Sequence, residues 1–553
     1  MADSEHGRGA GSSGLLSGAR ARLARSVRVV TGSSVDVEEY DPDEHDPLVT
    51  FDGLAGMREI ERYWLNAPYA FVSINYDPEE NEHRYHVVEP TLDELERELL
   101  ERLFEDIRTP LLYRDDIEKD PETALIEELA SRLEDYGVLI DPETFHRLFY
   151  YLYRQFQGYG KIDPLMHDPD IEDISCDGVG LPIFAYHEEY TDIETNVTFG
   201  DQELRNFVIQ LAQRSGRHIS VSDPVVSTTL PDGSRIELAL GEEVTPRGSA
   251  FTIRKYAEEP FTPVDLLEFG TVDLNMLAFL WLAIESNKSL IFAGGTAAGK
   301  TTSMNAMSMF VPPRSKVLTI EDTRELSLYH DNWLSSVTRE RFDEDDITMY
   351  DLLRSALRHR PEYIIVGEVR GREAVTLFQA MNTGHTTYST MHADSVQTVI
   401  NRLENEPINV PRPMVASLDL LCVQVLTRHN DKRVRRIKTL AEIEGIDQRT
   451  GELDYANTFS WNADDDSFRQ RNSELLEQIQ ADRGWSRSEL LSELDDRRAV
   501  LSYLWAAGVT DYRRFTAWIN RYYADKDAVM NDVRASDAVT TGSRASDADM
   551  TTE

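Results

Sequence analysis

Residues 294–301 carry glycine, lysine and threonine at the spacing of a phosphate-binding loop, G-x-x-x-x-G-K-S/T. The apolar run from Ser289 to Ala293 precedes this segment, and residues 302–310 follow it with methionines and small residues at helical spacing. A strand, a glycine-rich loop and a helix in this order are the context in which backbone N–H groups surround phosphates. The sequence therefore predicts a nucleotide site held by a parallel α/β sheet. The alternative is a chance match in a glycine-rich turn, which the two correct flanks disfavour.

The loop predicts a role for each of its residues. Lys300 is expected to reach the outer phosphates, and the hydroxyl group of Thr301 is expected to bind Mg²⁺. The other predicted nucleotide contacts are Gly294, Gly295, Thr296, Ala297, Ala298, Gly299 and Thr302.

The chain has 553 residues, which is too long for one ordinary hydrophobic core, so two or three domains with tails are expected. Its two cysteines, Cys176 and Cys422, allow neither a disulfide framework nor a cysteine metal site. We find no apolar run of membrane-spanning length and no apolar segment typical of a signal peptide. These features predict a cytoplasmic protein.

The formal net charge of -42 argues against a nucleic-acid partner, because phosphate backbones require a basic surface. Lysine is depleted as well, with nine lysines against 48 arginines. Acidic excess with few lysines is similar to cytoplasmic proteins of salt-accumulating halophiles, where high ionic strength screens self-repulsion. An ordinary acidic protein is the alternative. The halophile interpretation predicts that stability is lost in low salt.

The hydropathy pattern divides the chain into segments. Residues 1–48 are predicted to be disordered; their basic stretch from Leu15 to Arg28 fits either a short amphipathic helix at a membrane or a solvated tail. An N-terminal α+β domain is expected over residues 49–255. The remaining predicted segments are a linker at 256–263, an α/β domain at 264–445, a hairpin and acidic helices at 446–525, and a disordered tail at 526–553. The turn of the hairpin is expected at Arg449 to Gly451.

Three further stretches place polar groups at the ends of predicted strands, where α/β sheets bind ligands. Carboxylates from Glu321 to Glu325 follow one strand, and Glu368 follows a second. His385 and His392 flank a third strand. Taken singly, each group has the alternative of a solvated strand end or an ordinary surface histidine. Their order after a phosphate loop favours a common site.

The segments IEDTREL, IIVGEVRG and TGHTTYSTMHADS, following GGTAAGKTT, resemble the Asp box, Walker B and His box of the type II/IV secretion ATPase superfamily. The resemblance covers about residues 160–445. It implies a hexameric ring of ATP-hydrolysing subunits, each with an N-terminal α+β, PAS-like domain and a RecA-like α/β C-terminal domain. A helical C-terminal extension would follow.

The resemblance also implies roles for individual residues. Glu325 would polarise the attacking water, Glu368 would be the Walker B acid that approaches Mg²⁺, and His392 would lie near the phosphates. Lys300 and Thr301 would contact phosphate and Mg²⁺. Arginines of the N-terminal domain would reach the terminal phosphate of ATP; Arg235 and Arg254 match that pattern best, and Arg217 matches it less well.

Residues 401–425 and 519–527 are similar to archaeal members, most closely the archaellum ATPase. That similarity implies a motor at the inner face of the cell membrane, working with a polytopic platform protein and accessory cytoplasmic motor proteins. Three alternatives stay open. They are an archaeal type IV pilus assembly ATPase, a nucleotide-gated scaffold that does not hydrolyse ATP, and a conjugative secretion role.

Overall fold

The computed structural model describes residues 40, 47–111, 120–256, 259–339, 346–430 and 432–535. Two compact units make up the chain, Met1–Tyr256 and Ala257–Glu553. The basic stretch from Leu15 to Arg28 and the end of the predicted C-terminal tail lie outside the described residues. Within them, no helix is long and apolar enough to cross a membrane.

The described part of the first unit contains nine strands and five helices. Its elements are β1 (Arg58–Asn66), β2 (Ala70–Asp77), β3 (Glu82–Val88), α1 (Glu94–Leu111), α2 (Pro121–Tyr136), α3 (Pro142–Phe156), a 3-10 turn (Gly160–Ile162), α4 (Asp163–His167), β4 (Ile171–Cys176), β5 (Pro182–His187), β6 (Thr191–Thr198), α5 (Asp201–Arg214), β7 (Val225–Thr229), β8 (Arg235–Ala239) and β9 (Ala250–Arg254). The strands form one sheet in the order β1-β2-β3-β6-β5-β4-β9-β8-β7, antiparallel except between β3 and β6. Helices α2 and α3 begin alike, because an aspartate caps each one and a proline occupies the first turn.

The second unit contains another nine-stranded sheet, in the order β12-β11-β13-β14-β10-β15-β16-β17-β18. Its elements are α6 (Pro263–Glu268), α7 (Leu274–Glu285), β10 (Leu290–Gly294), α8 (Lys300–Ser308), β11 (Val317–Glu321), β12 (Trp333–Val337), α9 (Met349–Ala356), a 3-10 turn (Leu357–His359), β13 (Tyr363–Glu368), α10 (Glu373–Asn382), β14 (Thr386–His392), α11 (Val396–Glu404), α12 (Arg412–Val415), β15 (Leu420–His429), β16 (Lys432–Ile446), β17 (Leu453–Asn462), β18 (Ser467–Gln470), α13 (Glu474–Arg483), α14 (Arg487–Ala506) and α15 (Tyr512–Ala524).

The six strands β12, β11, β13, β14, β10 and β15 run parallel to one another, in that order across the sheet. Strand β16 pairs with β15 in the antiparallel direction, and β17 and β18 continue as an antiparallel meander. Both faces of the parallel part are covered, which explains why every residue of β10 and β11 is buried. One core joins the sheet to α6, α7, α8 and the C-terminal helices, and a second joins it to α9, α10 and α11. The predicted α/β architecture is confirmed.

The C-terminal segment belongs to this second unit. The hairpin predicted at Arg449 to Gly451 is confirmed: it joins β16 to β17, and Gly451 adopts a φ of 71° in the turn. Helices α13, α14 and α15 pack into the core beside α7. Residues 526–535 were expected to be part of a disordered tail, and this expectation is wrong. They are helical and bury Val529, Met530 and Val533, because these apolar side chains share one helix face.

The structure differs from the sequence pattern in one part of the first unit. Residues 231–235 contain proline, aspartate and glycine, which predicts a turn, whereas Arg235 begins β8. The sequence pattern also predicts no strand at β7. Both strands have only five residues, which is too short for a clear alternation of apolar and polar positions.

Candidate functional site

The phosphate-binding loop joins β10 to α8, as predicted. Two of its glycines are required by close contacts with β15. A Cβ atom at Gly294 would lie 2.5 Å from the carbonyl oxygen of Gln424, and one at Gly299 would lie 3.1 Å from the Gln424 side-chain nitrogen. Gly299 also has a φ of 85°, which an L side chain rarely adopts. The loop therefore owes its shape to both its own backbone and the neighbouring strand.

Lys300 begins α8 and is 8% exposed. Its Nζ atom donates a hydrogen bond of 2.9 Å to the carbonyl oxygen of Gly295, so the side chain lies over the loop. Burial lowers the pKa of Lys300, while the carboxylates of Glu368 and Glu325 act in the opposite direction. Both predicted acids are thus close enough to this lysine to affect its charge.

The polar ends of three strands meet at one edge of the sheet, since β11, β13 and β14 are parallel to β10. His392 stands in register with Gly294 on the adjacent strand. Its Nε2 atom lies 3.3 Å from Oε1 of Glu368, whose other oxygen accepts a 2.6 Å hydrogen bond from Arg370. Burial and the charge of Lys300 lower the pKa of His392. These contacts bring Lys300, Glu368 and His392 together.

Glu325 lies on the loop after β11, and its side chain is exposed. The loop is held by Glu321, which is 1% exposed. Oε1 of Glu321 accepts hydrogen bonds of 2.8 Å from the backbone N–H groups of both Glu325 and Leu326. Its Oε2 atom has no hydrogen-bond partner among the described residues. Burial raises the pKa of Glu321 to about 7, although the two hydrogen bonds act to lower it.

Glu321 was not among the predicted site residues, although it opens the acidic stretch that the sequence singled out. Gly367 on β13 packs against it, and a Cβ atom there would lie 3.4 Å from Cγ of Glu321. Since Leu318 and Ile320 are buried as well, Glu321 ends a strand that has no solvent-facing side. A carboxylate at the end of a short, mainly apolar strand is the sequence signal that would have found Glu321.

Two contacts to the loop come from β15 and β16, which the sequence did not connect with the site. Arg435 donates a 3.1 Å hydrogen bond from Nε to the carbonyl oxygen of Ala297, a residue with a φ of 57°. Gln424 is 1% exposed, and its Oε1 atom has no hydrogen-bond partner among the described residues. No sequence motif marks these residues, because only the register of the sheet brings them to the loop.

Thr301 lies in the first turn of α8, directly after Lys300. Among the described residues, no group of three or more histidine, cysteine, aspartate or glutamate side chains is arranged to hold a metal ion. Mg²⁺ in nucleotide sites is usually held by one or two protein groups together with substrate phosphates and water. Thr301 and Glu368 fit this requirement, and their role as magnesium ligands stays a prediction.

The three arginines predicted to reach the terminal phosphate lie in the first unit. Arg235 and Arg254 are directly opposite each other on β8 and β9. Nε of Arg254 lies 3.0 Å from Oδ1 of Asp173, and Nη2 of Arg235 lies 3.7 Å from Oε1 of Glu237. Arg217 follows the end of α5. Their relation to the phosphate-binding loop stays a prediction.

The family model described as Type II/IV secretion system protein matches residues 187–489, more than half of the chain. The chain belongs to this family. Two models described as PilB3-like, N-terminal and PilB3-like, C-terminal match residues 17–91 and 464–545 of this secretion-family protein. The resemblance that the motifs indicated is therefore confirmed at the level of the family.

The secretion-family protein is 38% identical over 399 residues to an uncharacterised protein of Methanocaldococcus jannaschii, MJ0900, covering 71% of this chain and 72% of the relative. It is 31% identical over 266 residues to the type IV secretion system protein PtlH of Bordetella pertussis, covering 42% and 78%. Among solved structures, the VirB11 ATPase of Brucella suis matches with a TM-score of 0.26 at 24% identity, covering 51% and 94%. The pilus retraction motor PilT with bound ADP matches with a TM-score of 0.34 at 17% identity, covering 60% and 89%.

Proposed function

We propose that this secretion-family protein binds ATP with Mg²⁺ at residues 294–301 and hydrolyses it to ADP and phosphate. One observation supports the proposal above all others. Lys300, Glu325, Glu368 and His392 come from four separate elements and are brought to the same sheet edge as the phosphate-binding loop. A loop that only bound nucleotide would not need two acids beside its lysine.

Each side chain has a role that its position supports. Lys300 and the loop N–H groups neutralise phosphate charge, and His392 lies beside the phosphates, held by Glu368. Glu325 is exposed, and Glu321 fixes its backbone, so it is placed to orient a water molecule. Mg²⁺ bound near Thr301 and Glu368 would supply further charge neutralisation for the transferred phosphoryl group.

We extend the proposal to Arg235 and Arg254, with Arg217 as a third candidate. Arg235 and Arg254 lie directly opposite each other on neighbouring strands, so their guanidinium groups can bind one anion together. Asp173 forms an ion pair with Arg254, and Glu237 lies 3.7 Å from Arg235. A terminal phosphate of ATP would accept hydrogen bonds from both guanidinium groups and would couple hydrolysis to a movement of the N-terminal unit.

The larger assembly is also a proposal. We infer a homo-hexameric motor at the cytoplasmic face of the cell membrane, acting on a polytopic platform protein together with accessory cytoplasmic motor proteins and without nucleic acid. In this proposal the N-terminal unit is PAS-like, and the source is a halophile. The proposed motor powers the assembly of an archaellum and, as a further part of the proposal, the rotation of that filament.

A second candidate is the archaeal type IV pilus assembly ATPase. The PilB3-like models match the two flanks of the chain, residues 17–91 and 464–545, and this candidate rests on those matches. Deleting the gene and complementing it with wild type or Lys300→Ala separates the two candidates. Loss of swimming filaments with adhesion pili intact would support the archaellum, and the reverse phenotype would support the pilus.

Hydrolysis itself is tested with the purified chain. Glu325→Gln removes the charge that orients water and keeps the shape of the side chain. We expect ATP turnover to fall by about 100-fold or more while ATP binding is retained, the range in which general-base groups contribute. Unchanged turnover would contradict the role of Glu325. Filament assembly by this variant at the wild-type level would instead support the scaffold that does not hydrolyse ATP.

A further inference from the structure

The end of β15 and the start of β16, residues 425–430 and 432–436, form a hairpin that extends past the phosphate-binding loop. Gln424 on β15 is in register with Gly294, the last residue of β10, and β15 continues for five residues to His429. At about 3.3 Å per residue, the end of β15 lies about 16 Å beyond the end of β10. The basic hairpin, as we call these residues, therefore flanks the space on the phosphate side of the loop.

Its register places three arginines on the side that faces the loop. Arg428 is directly opposite Arg433, and Leu426 is directly opposite Arg435. Directly opposite residues share one face of an antiparallel pair, and so do residues two apart on one strand. Since Arg435 contacts Ala297, the side chains of Arg428 and Arg433 project from the face of the hairpin that meets the loop.

The other face of the basic hairpin has different neighbours. Arg436 is buried and forms a bidentate ion pair with Asp466 at 2.8 Å, and it also donates to the carbonyl oxygen of Phe269. His429 and Lys432 are opposite each other on this same face. This face is therefore attached to the body of the second unit, whereas the loop-facing side carries the exposed arginines.

The pair Arg428 and Arg433 is electrostatically unfavourable by itself, because like charges directly opposite each other destabilise a strand pair. Both residues are exposed, and no carboxylate forms an ion pair with either of them among the described residues. The chain carries 99 acidic residues, so compensation by a neighbouring carboxylate would have been easy to place. An anion bound beside the loop would relieve the repulsion, and guanidinium groups match phosphate oxygens in charge and geometry.

We propose that the basic hairpin is a second wall of the nucleotide site, in which Arg428 and Arg433 contact the phosphates of a bound nucleoside triphosphate. Arg435 acts as a positioning residue that holds the phosphate-binding loop through Ala297. This inference rests on the proposed nucleotide site at residues 294–301. It adds phosphate contacts from the C-terminal part of the second unit. These contacts are separate from those proposed for Arg235 and Arg254 of the first unit.

The test measures the dissociation constants of ATP, ADP and AMP for the purified full chain in concentrated KCl, by calorimetry. The variant Arg428→Gln with Arg433→Gln removes both facing charges. Its matched control is Lys432→Gln, which removes one positive charge from the same hairpin tip on the opposite face. We expect the double variant to bind ATP about tenfold more weakly and AMP with nearly unchanged affinity, since charge-assisted contacts to the outer phosphates are lost. Lys432→Gln should bind all three nucleotides as the wild type does.

Arg435 is tested separately, because its role is to position the loop. Arg435→Ala should weaken ADP and ATP alike and raise KM more than it lowers kcat, and Arg435→Lys should restore part of the affinity by donating one hydrogen bond. A melting temperature close to that of the wild type confirms that each variant is folded.

Wild-type ATP affinity in the double variant would overturn the proposal, and so would an equal loss for ATP and AMP, which would indicate contact with the base or ribose. A double variant with normal nucleotide affinity but impaired self-association would assign the arginines to a second copy of the chain and overturn it too. Lys300→Ala distinguishes a failure of the underlying site. If Lys300→Ala also binds ATP with wild-type affinity, the proposed nucleotide site itself is wrong. If Lys300→Ala loses ATP binding and the double variant does not, only the role of the hairpin is wrong.

Discussion

Glu321 offers a test of the site that does not depend on nucleotide. Its carboxyl group is buried, and its pKa is raised to about 7 from an ordinary value of 4.5. The Glu321 carboxyl group therefore binds a proton more tightly in the folded chain than in the unfolded chain. By linkage, the contribution to stability is fully present below pH 4.5 and is lost as the pH rises through 7. The loss amounts to about 3 kcal/mol, since one pKa unit corresponds to about 1.4 kcal/mol.

The variant Glu321→Gln removes the titration and keeps an oxygen that can accept from the N–H groups of Glu325 and Leu326. Its amide group adds a buried donor, which costs about 1–3 kcal/mol at every pH, so the pH dependence is the informative quantity. We expect the free energy of unfolding of the variant, relative to wild type, to rise by about 3 kcal/mol between pH 4.5 and pH 8. Charges elsewhere in the chain affect both proteins equally and cancel in this difference.

The measurement is denaturant unfolding of both proteins at several pH values, in concentrated KCl and without nucleotide. If the free energies of unfolding of variant and wild type change in parallel with pH, the raised pKa of the buried Glu321 carboxyl group is refuted. Glu321→Leu is the companion variant: it leaves the buried N–H group of Leu326 without an acceptor, at a cost of about 1–3 kcal/mol. Its kcat should fall well below that of Glu321→Gln while ATP affinity is retained, because Glu325 loses its support.

Three other predictions follow from the second unit and from composition. Arg497 is buried against the rings of Trp281 and Tyr522, and it forms ion pairs with Glu285 and Glu493. Because Arg497→Ala leaves these two carboxylates without this partner, it should lower the free energy of unfolding by about 3–5 kcal/mol. A loss below about 1 kcal/mol in a denaturant titration would contradict this prediction. Gly294→Ala places a Cβ atom 2.5 Å from the Gln424 carbonyl oxygen and should abolish ATP binding in calorimetry, whereas Gly295→Ala, with nothing within 4 Å, should bind ATP. Transfer from concentrated KCl to low salt should lower the melting temperature strongly because of the net charge of -42, and a melting temperature indifferent to salt would contradict the halophile interpretation.

Much of the second unit was predictable because its signals are local. The loop at residues 294–301, the strands before it and after it, and the turn at Gly451 each show their pattern within a dozen residues. Glu325, Glu368 and His392 were predicted from their places at strand ends, and the structure brings the latter two within 3.3 Å of each other. Parallel strands made this predictable, because their carboxyl ends meet at one edge of the sheet.

Other features had no local signal. The helix at residues 526–535 has the composition of a tail, and it is ordered only because α7 and the C-terminal helices bury its apolar face. Glu321 lies four residues before Glu325 in the sequence. Its carboxylate accepts a hydrogen bond from the backbone N–H group of Glu325 only because the chain turns back after β11. The spacing of residues in the sequence predicts neither the burial of this helix nor the hydrogen bonds of the Glu321 carboxylate.

The sequence by itself determined the phosphate-binding loop, the acids and the histidine at the strand ends, and membership of a secretion family, since all of these depend on residue type and short-range spacing. Only the tertiary structure decided that Gln424 and Arg435, more than 120 residues after the loop, lie against it. The physical reason is the strand order, which places β15 directly beside β10. Contacts between distant segments follow from sheet register, and register is settled only when the whole hydrophobic core is packed.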